Sequence, residues 1–226
     1  AAMTYEAQRV EICQVGKLLY DRGYVVSNDG NLSLRVAPDR LLVTPSGVSK
    51  GRLTPDMLLV TDLEGNVLEG NRHPSSETKM HLAVYRGRPD VGAVVHAHPP
   101  VSTAFAVCRR GMETPYLSEL VTGLGAVPCT PSFAMLSTDE VPKSIRPYLP
   151  DHNAVLLANH GALTWGADLW QAFDRMETVE QTARIYANVQ LLGGGVELTE
   201  AQETALLGLA GRYAVLAGPR TEEESV

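Results

Sequence analysis

His96 and His98 stand two residues apart at the end of the apolar run Val94-Val95, and Pro99 closes the segment. Side chains at i and i+2 of a strand share a face, so both imidazoles reach one point, as a metal ion requires. A third histidine, His160, ends a second apolar run that starts at Ala154. Three neutral imidazoles leave one coordination position open, the arrangement of a catalytic zinc rather than a closed structural site. The same donors also suit Mn2+, Co2+ or Fe2+. Glu77 follows Pro74-Ser75-Ser76 and offers a carboxylate at the start of a helix. It either serves the helix dipole or acts as a general acid/base beside a metal, with burial raising its pKa toward neutrality. His81 lies four residues further on, on the same helix face. It reads as a packed core histidine or as half of a Glu/His metal pair. His73 and His152 fall in loops and are given no role.

Three turns of small residues add a second kind of chemistry. Gly30-Asn31, Ser46-Gly47 and Ser75-Ser76 each present backbone N–H groups or side-chain donors suited to an anion. Any one of them alone is only a turn. Beside a metal site, the three together suggest a phosphate pocket, although no P-loop lysine motif is present. Lys17, Lys50, Lys79 and Lys143 sit in no apolar pocket motif, which disfavours a Schiff-base mechanism. Cys13, Cys108 and Cys129 are far apart and lack Cys-x-x-Cys spacing, so they read as reduced thiols.

The elements that must hold these groups follow from periodicity. Val10, Cys13, Leu18 and Leu19 approximate one stripe of a helix over Tyr5 to Gly23. Leu32 to Val36 alternates as a strand, Leu41 to Thr44 is a second, and Met57–Thr61 with Val67–Leu68 forms a hairpin around Glu64-Gly65-Asn66. Helices are expected over Ser75–Arg88, Pro100–Arg109, Thr138–Tyr148, Asp168–Leu192 and Thr199–Ala217, with strands over Val91–His96, Asn153–Ala158 and Ala162–Trp165. Residues 218–226 form an acidic tail expected to fray. No repeat or linker splits the chain, so residues 1–226 read as one α/β domain.

The chain has 226 residues, 44% of them hydrophobic and 20% charged, which is ordinary for a soluble globular protein and allows one sizeable core. A net charge of -7 argues against a nucleic-acid partner. No apolar run approaches the length that spans a bilayer, so no membrane partner is expected. The opening residues show no signal-peptide pattern, and the expected location is cytoplasmic.

In chain order, Gly30-Asn31-Leu32-Ser33, Thr44-Pro45-Ser46-Gly47, Pro74-Ser75-Ser76-Glu77, His96-Ala97-His98 and Asn159-His160-Gly161 resemble the motifs of the class II aldolase/adducin family. The match runs from about Tyr5 to Tyr213. The resemblance implies a three-layer α/β/α sandwich around a largely antiparallel mixed sheet. It implies a homotetramer with active sites at subunit interfaces. It implies a zinc held by His96, His98, His160 and, at rest, Glu77, which turns acid/base during turnover. Gly30, Asn31, Ser46, Gly47, Ser75 and Ser76 would hold the phosphate. Tyr213 would serve the aldehyde oxygen. A second tyrosine from a neighbouring subunit is implied near mid-chain, where this chain has Leu117 with Tyr116 adjacent. The implied reaction cleaves a ketose 1-phosphate resembling L-fuculose 1-phosphate to dihydroxyacetone phosphate and an aldehyde, through a metal-stabilised enediolate. Glu rather than Asp at position 77 favours aldol cleavage over 4-epimerisation. A dehydratase of the methylthioribulose-1-phosphate type and a sugar-acid-phosphate decarboxylase keep the same scaffold. A non-catalytic, adducin-like assembly role has no use for three histidines and Glu77 together.

Overall fold

The computed structural model describes the backbone of residues 3–213 and the side chains of residues 3–210. Seven strands, β1 (Asn31–Ala37), β2 (Arg40–Val43), β3 (Leu59–Thr61), β4 (Val67–Glu69), β5 (Ala93–Ala97), β6 (Ala154–Leu157) and β7 (Gly161–Gly166), form one sheet in the order β4-β3-β2-β1-β5-β7-β6. All six pairings are antiparallel. The only parallel contact among the described residues is a single bridge between Cys129 and Leu156. The expected mixed sheet is thus antiparallel in every ladder.

Among the described residues the α-helices are α1 (Glu6–Asp21), α2 (Thr78–Gly87), α3 (Pro100–Val107), α4 (Ser118–Gly123), α5 (Glu140–Ile145), α6 (Leu169–Leu191) and α7 (Glu200–Tyr213). Two hydrophobic clusters lie on opposite faces of the sheet, which makes the three layers. On one face, Ile12, Val15 and Leu19 of α1 and Ala172, Met176, Val179 and Ala183 of α6 pack on Leu32, Leu34, Val95 and Ala97. The three- and four-residue spacing of those helical positions is the stripe that buries one side of a helix. On the other face, Met80, Val84 and Tyr85 of α2 and Val141 and Ile145 of α5 pack on Leu41, Val43, Val94 and Leu163. β5 alternates between the clusters and is buried along its whole length, as a central strand must be.

Differences from the sequence expectations have local causes. The helix expected from Ser75 begins at Thr78, because Ser75 and Ser76 form a turn in which Thr78 N–H donates to Ser75 O at 3.1 Å. The helix expected over Thr138–Tyr148 is shorter: α5 ends at Ile145, and a 3-10 turn over Arg146–Tyr148 follows, with Pro147 inside it. α4 and two 3-10 turns, Lys50–Arg52 and Pro55–Met57, were not anticipated. Asp168 caps α6 by accepting Gln171 N–H at 2.9 Å. Residues 218–226, the expected tail, lie outside the described residues.

Candidate metal centre and anion pocket

β1 begins where β5 ends, and Asn31 pairs with His96 across the ladder. His96 shares its sheet face with Val94, two residues earlier, and is fully buried. Beyond the strand, His98 N–H donates to Tyr24 O at 2.9 Å, and Pro99 begins the turn into α3. That corner is held from behind by Glu180 of α6, which accepts Val101 N–H at 2.8 Å and Ser102 N–H at 3.1 Å. A buried carboxylate thus satisfies the free amides of the first turn of α3.

His160 lies in the β6–β7 hairpin turn rather than on a strand. Asn159 adopts a left-handed conformation at φ 57°, which asparagine tolerates better than most residues, and His160 N–H donates to Leu157 O at 3.0 Å. Gly161 then brings β7 against β5. A Cβ there would fall 2.6 Å from both Ala97 O and His98 Cδ2.

The three imidazoles converge through their Nε2 atoms. His96 Nε2 lies 3.1 Å from His98 Nε2 and 3.2 Å from His160 Nε2. His96 Nδ1–H donates to Ala162 O at 2.9 Å, which leaves the lone pair on Nε2, facing inward. His98 Nδ1 has Asp29 Oδ2 at 3.5 Å behind it. Nitrogens bound at about 2.0–2.1 Å to a tetrahedral ion sit about 3.3–3.4 Å apart, close to these spacings.

Glu77 completes the cluster. Its Oε2 is 3.2 Å from His96 Nε2, and its Oε1 is 3.0 Å from His160 Nε2. Oε1 is buried without a well-aligned hydrogen bond. An orphaned carboxylate oxygen beside three converging nitrogens is the donor set of a divalent cation, and these four residues fit one.

The electrostatics agree. Burial pushes the Glu77 carboxyl up, but His96 and His160 outweigh it and hold the group well below the carboxylate range. This reverses the sequence expectation of a raised pKa, because the opposing imidazoles are contributed by separate strands and turns. Burial likewise opposes charge on His96, yet the Glu77 carboxylate pushes His96 up, while burial and its charged neighbours push His98 down to about 4.

A cavity of about 210 Å³ opens beside these four residues. Gly30, Asn31, Ser46, Gly47, Ser75 and Ser76, all expected from sequence, line it together with Glu77, His98 and His160. Sequence reasoning missed Lys50 in the same wall. Lys50 is 2% exposed, and its ammonium donates to Asn28 O at 3.1 Å and Val48 O at 2.6 Å. Burial lowers its pKa to about 8, against the pull of Asp29 and Glu77. The only hint in the sequence is its place four residues after Ser46.

Other expected residues lie elsewhere. His81 is not one of the converging imidazoles: it is buried, its Nε2 is bonded to Asn31 Oδ1, and burial pushes it down to about 3. Tyr116 lines a separate cavity, its ring edge-on to Tyr186 at 5.4 Å. Tyr213 closes α7, and its side chain lies outside the described residues. A larger cavity of about 450 Å³, walled by α4, α6 and α7, contains no histidine.

The family model for the class II aldolase and adducin N-terminal domain matches residues 10–187. This chain belongs to the class II aldolase/adducin family. It is 36% identical over 193 residues to the 3-oxo-tetronate 4-phosphate decarboxylase of Haemophilus influenzae, covering 83% of this chain and 90% of that one. It is 33% identical over 177 residues to the L-fuculose phosphate aldolase of Methanococcus maripaludis, covering 77% and 93% respectively. A solved L-fuculose 1-phosphate aldolase superposes with a TM-score of 0.84 at 30% identity, covering 92% of this chain and 96% of that one. Among the described residues, no helix is long and apolar enough to cross a membrane.

Proposed function

We propose that this protein is a metal-dependent lyase that breaks the carbon–carbon bond one carbon removed from the carbonyl of a sugar phosphate, with retro-aldol cleavage of a ketose 1-phosphate as its reaction. The observation that carries this reading is the convergence of three imidazole nitrogens and the Glu77 carboxylate on one point beside a pocket of small donors. His96, His98, His160 and Glu77 would hold the cation; zinc fits the donors, as do Mn2+, Co2+ or Fe2+. When bound, it supplies Lewis acidity to the substrate's carbonyl oxygen.

The protein's own groups do the rest. The turns at Gly30-Asn31, Ser46-Gly47 and Ser75-Ser76 bind the phosphate, with Lys50 as the neighbouring cation. As the C4 hydroxyl gives its proton to the Glu77 carboxylate, the C3–C4 electron pair passes to C3 and the aldehyde departs. Glu77 delivers a proton to C3, giving dihydroxyacetone phosphate, and removes it in the synthetic direction. Tyr213 is assigned to the aldehyde oxygen. On the family resemblance alone, we read the working assembly as a homotetramer with sites at subunit boundaries, which its mass in solution tests.

The similarity to a 3-oxo-tetronate 4-phosphate decarboxylase favours a second reading. Loss of CO2 from such a substrate also leaves an electron pair beside a ketone, and its protonation also yields dihydroxyacetone phosphate. The readings differ in the fragment that leaves. The test has two parts. Metal-loaded protein in D2O should exchange a C3 proton of dihydroxyacetone phosphate, and a chelator should abolish the exchange. Ketose 1-phosphates and 3-oxo-tetronate 4-phosphate should then be compared for release of aldehyde and of CO2. CO2 release without aldehyde would replace aldol cleavage with decarboxylation. Absence of exchange from a fully loaded protein would sink both.

A further inference from the structure

Behind Asn31 runs a line of buried polar groups, Ser33, His81 and Tyr85, that no step above uses. Asn31, Ser33, His81 and Tyr85 are each 3% exposed or less. Asn31 Nδ2 lies 2.8 Å from Glu77 Oε2 and 3.3 Å from Ser75 Oγ. Asn31 Oδ1 lies 2.5 Å from His81 Nε2, His81 Nδ1 lies 2.6 Å from Ser33 Oγ, and Ser33 Oγ lies 2.8 Å from Tyr85 Oη.

The direction of every bond follows from one end. An ionised carboxylate only accepts, so Asn31 must turn its NH2 toward Glu77. Its carbonyl then faces His81, and Nε2 must carry the proton. A neutral imidazole has one N–H, so Nδ1 is bare and accepts from the Ser33 hydroxyl. Ser33 has spent its hydrogen, so Tyr85 O–H donates to Ser33. The other end of the line is Ser75. Its Oγ accepts from Asn31 Nδ2 and from Glu77 N–H, each at 3.3 Å, which occupies both lone pairs. The Ser75 hydroxyl hydrogen is left to point into the pocket, as a donor to an anion.

We propose that His81 is a positioning residue: held as the Nε2–H tautomer by Ser33 and Tyr85, it locks the Asn31 amide so that its hydrogens face Glu77 and Ser75, leaving Ser75 to donate into the pocket. The last link rests on the sugar-phosphate reading; the tautomer does not. Reversing the amide would set its carbonyl against the Glu77 carboxylate and remove a donor from Ser75, so the lock couples the metal-facing carboxylate to the anion pocket.

The test uses full-length protein of measured metal content. In wild type labelled with 15N-histidine, NMR should show His81 as the neutral Nε2–H tautomer from pH 6 to 9. An Nδ1–H tautomer or an imidazolium would overturn the proposal outright, with no variant to fold. Titration calorimetry with inorganic phosphate supplies the second readout. His81→Leu removes the donor to Asn31 and should weaken phosphate binding about tenfold, the scale of one hydrogen bond to a charged group. His81→Gln, whose side-chain amide can replace the Nε2–H, should recover most of that loss. Metal content should stay at the wild-type level in both. If folded, metal-loaded His81→Leu binds phosphate as wild type does, His81 does not position the pocket. If wild type itself binds no inorganic phosphate, the phosphate reading fails, and the tautomer alone decides the role of His81.

Discussion

The imidazoles of His81 and His96 are both buried, on the same side of the sheet, and their surroundings differ in kind. Both ring nitrogens of His81 face a neutral polar partner, Ser33 on one side and Asn31 on the other. His96 has one such partner, the Ala162 carbonyl, and turns its other nitrogen toward two more imidazoles and a carboxylate. Burial alone pushes both rings toward neutrality. It prevails at His81, whereas at His96 the Glu77 carboxylate overturns it. The lesson is that burial does not separate a structural histidine from a functional one. Whether the second nitrogen has a spoken-for partner does. Lys50 lies between the two cases, a buried ammonium with two of its three donors used and one left over at the pocket wall.

The sharpest way to break this contrast is to delete one member of the converging set. His96→Ala should abolish stoichiometric metal binding and lower turnover by roughly a thousandfold or more, the scale of losing a preorganised electrostatic site. Metal analysis and a rate assay on the same sample check it, and full metal occupancy in the variant would end the ligand assignment. Glu77→Gln comes next. It keeps the imidazoles and should retain metal, but turnover should fall about 10²–10⁴-fold, as expected for a lost proton-transfer group. Lys50→Met tests the intermediate case. Removing a charge-assisted donor should weaken inorganic phosphate binding about tenfold or more. Below pH 8 the same change should raise the melting temperature, because it removes a charge held in a dry wall.

The sign for pH follows from the lowered value of Lys50. Between about 8 and its ordinary value near 10.5 the unfolded chain binds the proton and the folded chain does not. Stability from this group therefore rises with pH through that window, and the cost of burying its charge is fully present below it. Phosphate affinity should move the other way, falling above pH 8 as the ammonium empties. Wild type and Lys50→Met, followed by calorimetry across pH 7 to 10, should converge at the alkaline end. The smallest effect is expected at Ser75→Ala, which should raise KM about three- to tenfold for phosphorylated substrates and leave unphosphorylated analogues unchanged.

The histidine pair was legible in the sequence because a strand has a period of two, which directs positions 96 and 98 to one side, although His98 itself falls one residue past the end of β5. The layers were implied by the family resemblance rather than by periodicity: the unbroken apolar run of β5 did read as a buried strand, but the stripe expected for α1 was offset, since Val10 is exposed, Cys13 and Leu18 are half-buried, and Ile12, Val15 and Leu19 carry the burial. His160 was found by type and flanking residues, but its seat in a hairpin turn depends on the left-handed Asn159, which a residue name does not announce. Lys50 was passed over because a lysine in a short polar turn is ordinarily solvated. In the fold α1 packs directly on its backbone, where a Cβ at Gly16 would come within 2.8 Å of Lys50 O, and the ammonium is taken up by the carbonyls of Asn28 and Val48. The depressed pKa of Glu77 was out of reach altogether. It depends on charges carried by residues 19 or more positions away, and reading burial without them gave the wrong sign.

Gly161, the first residue of β7, and Gly30, just before β1, flank the end of β5 on its two sides. A Cβ on Gly161 would meet Ala97 O at 2.6 Å, and one on Gly30, where φ is +76°, would meet His96 O at 2.8 Å. Neither side of that strand end has room for a methyl group. In a saturating mutational scan selected only for soluble expression, these two codons should already be depleted, while His96→Gln or His98→Gln should survive. Repeated under selection for turnover, the scan should add the histidines and Glu77 to the same contiguous patch. Subtracting one map from the other would separate the residues that bring the strands together from those that use the space between them.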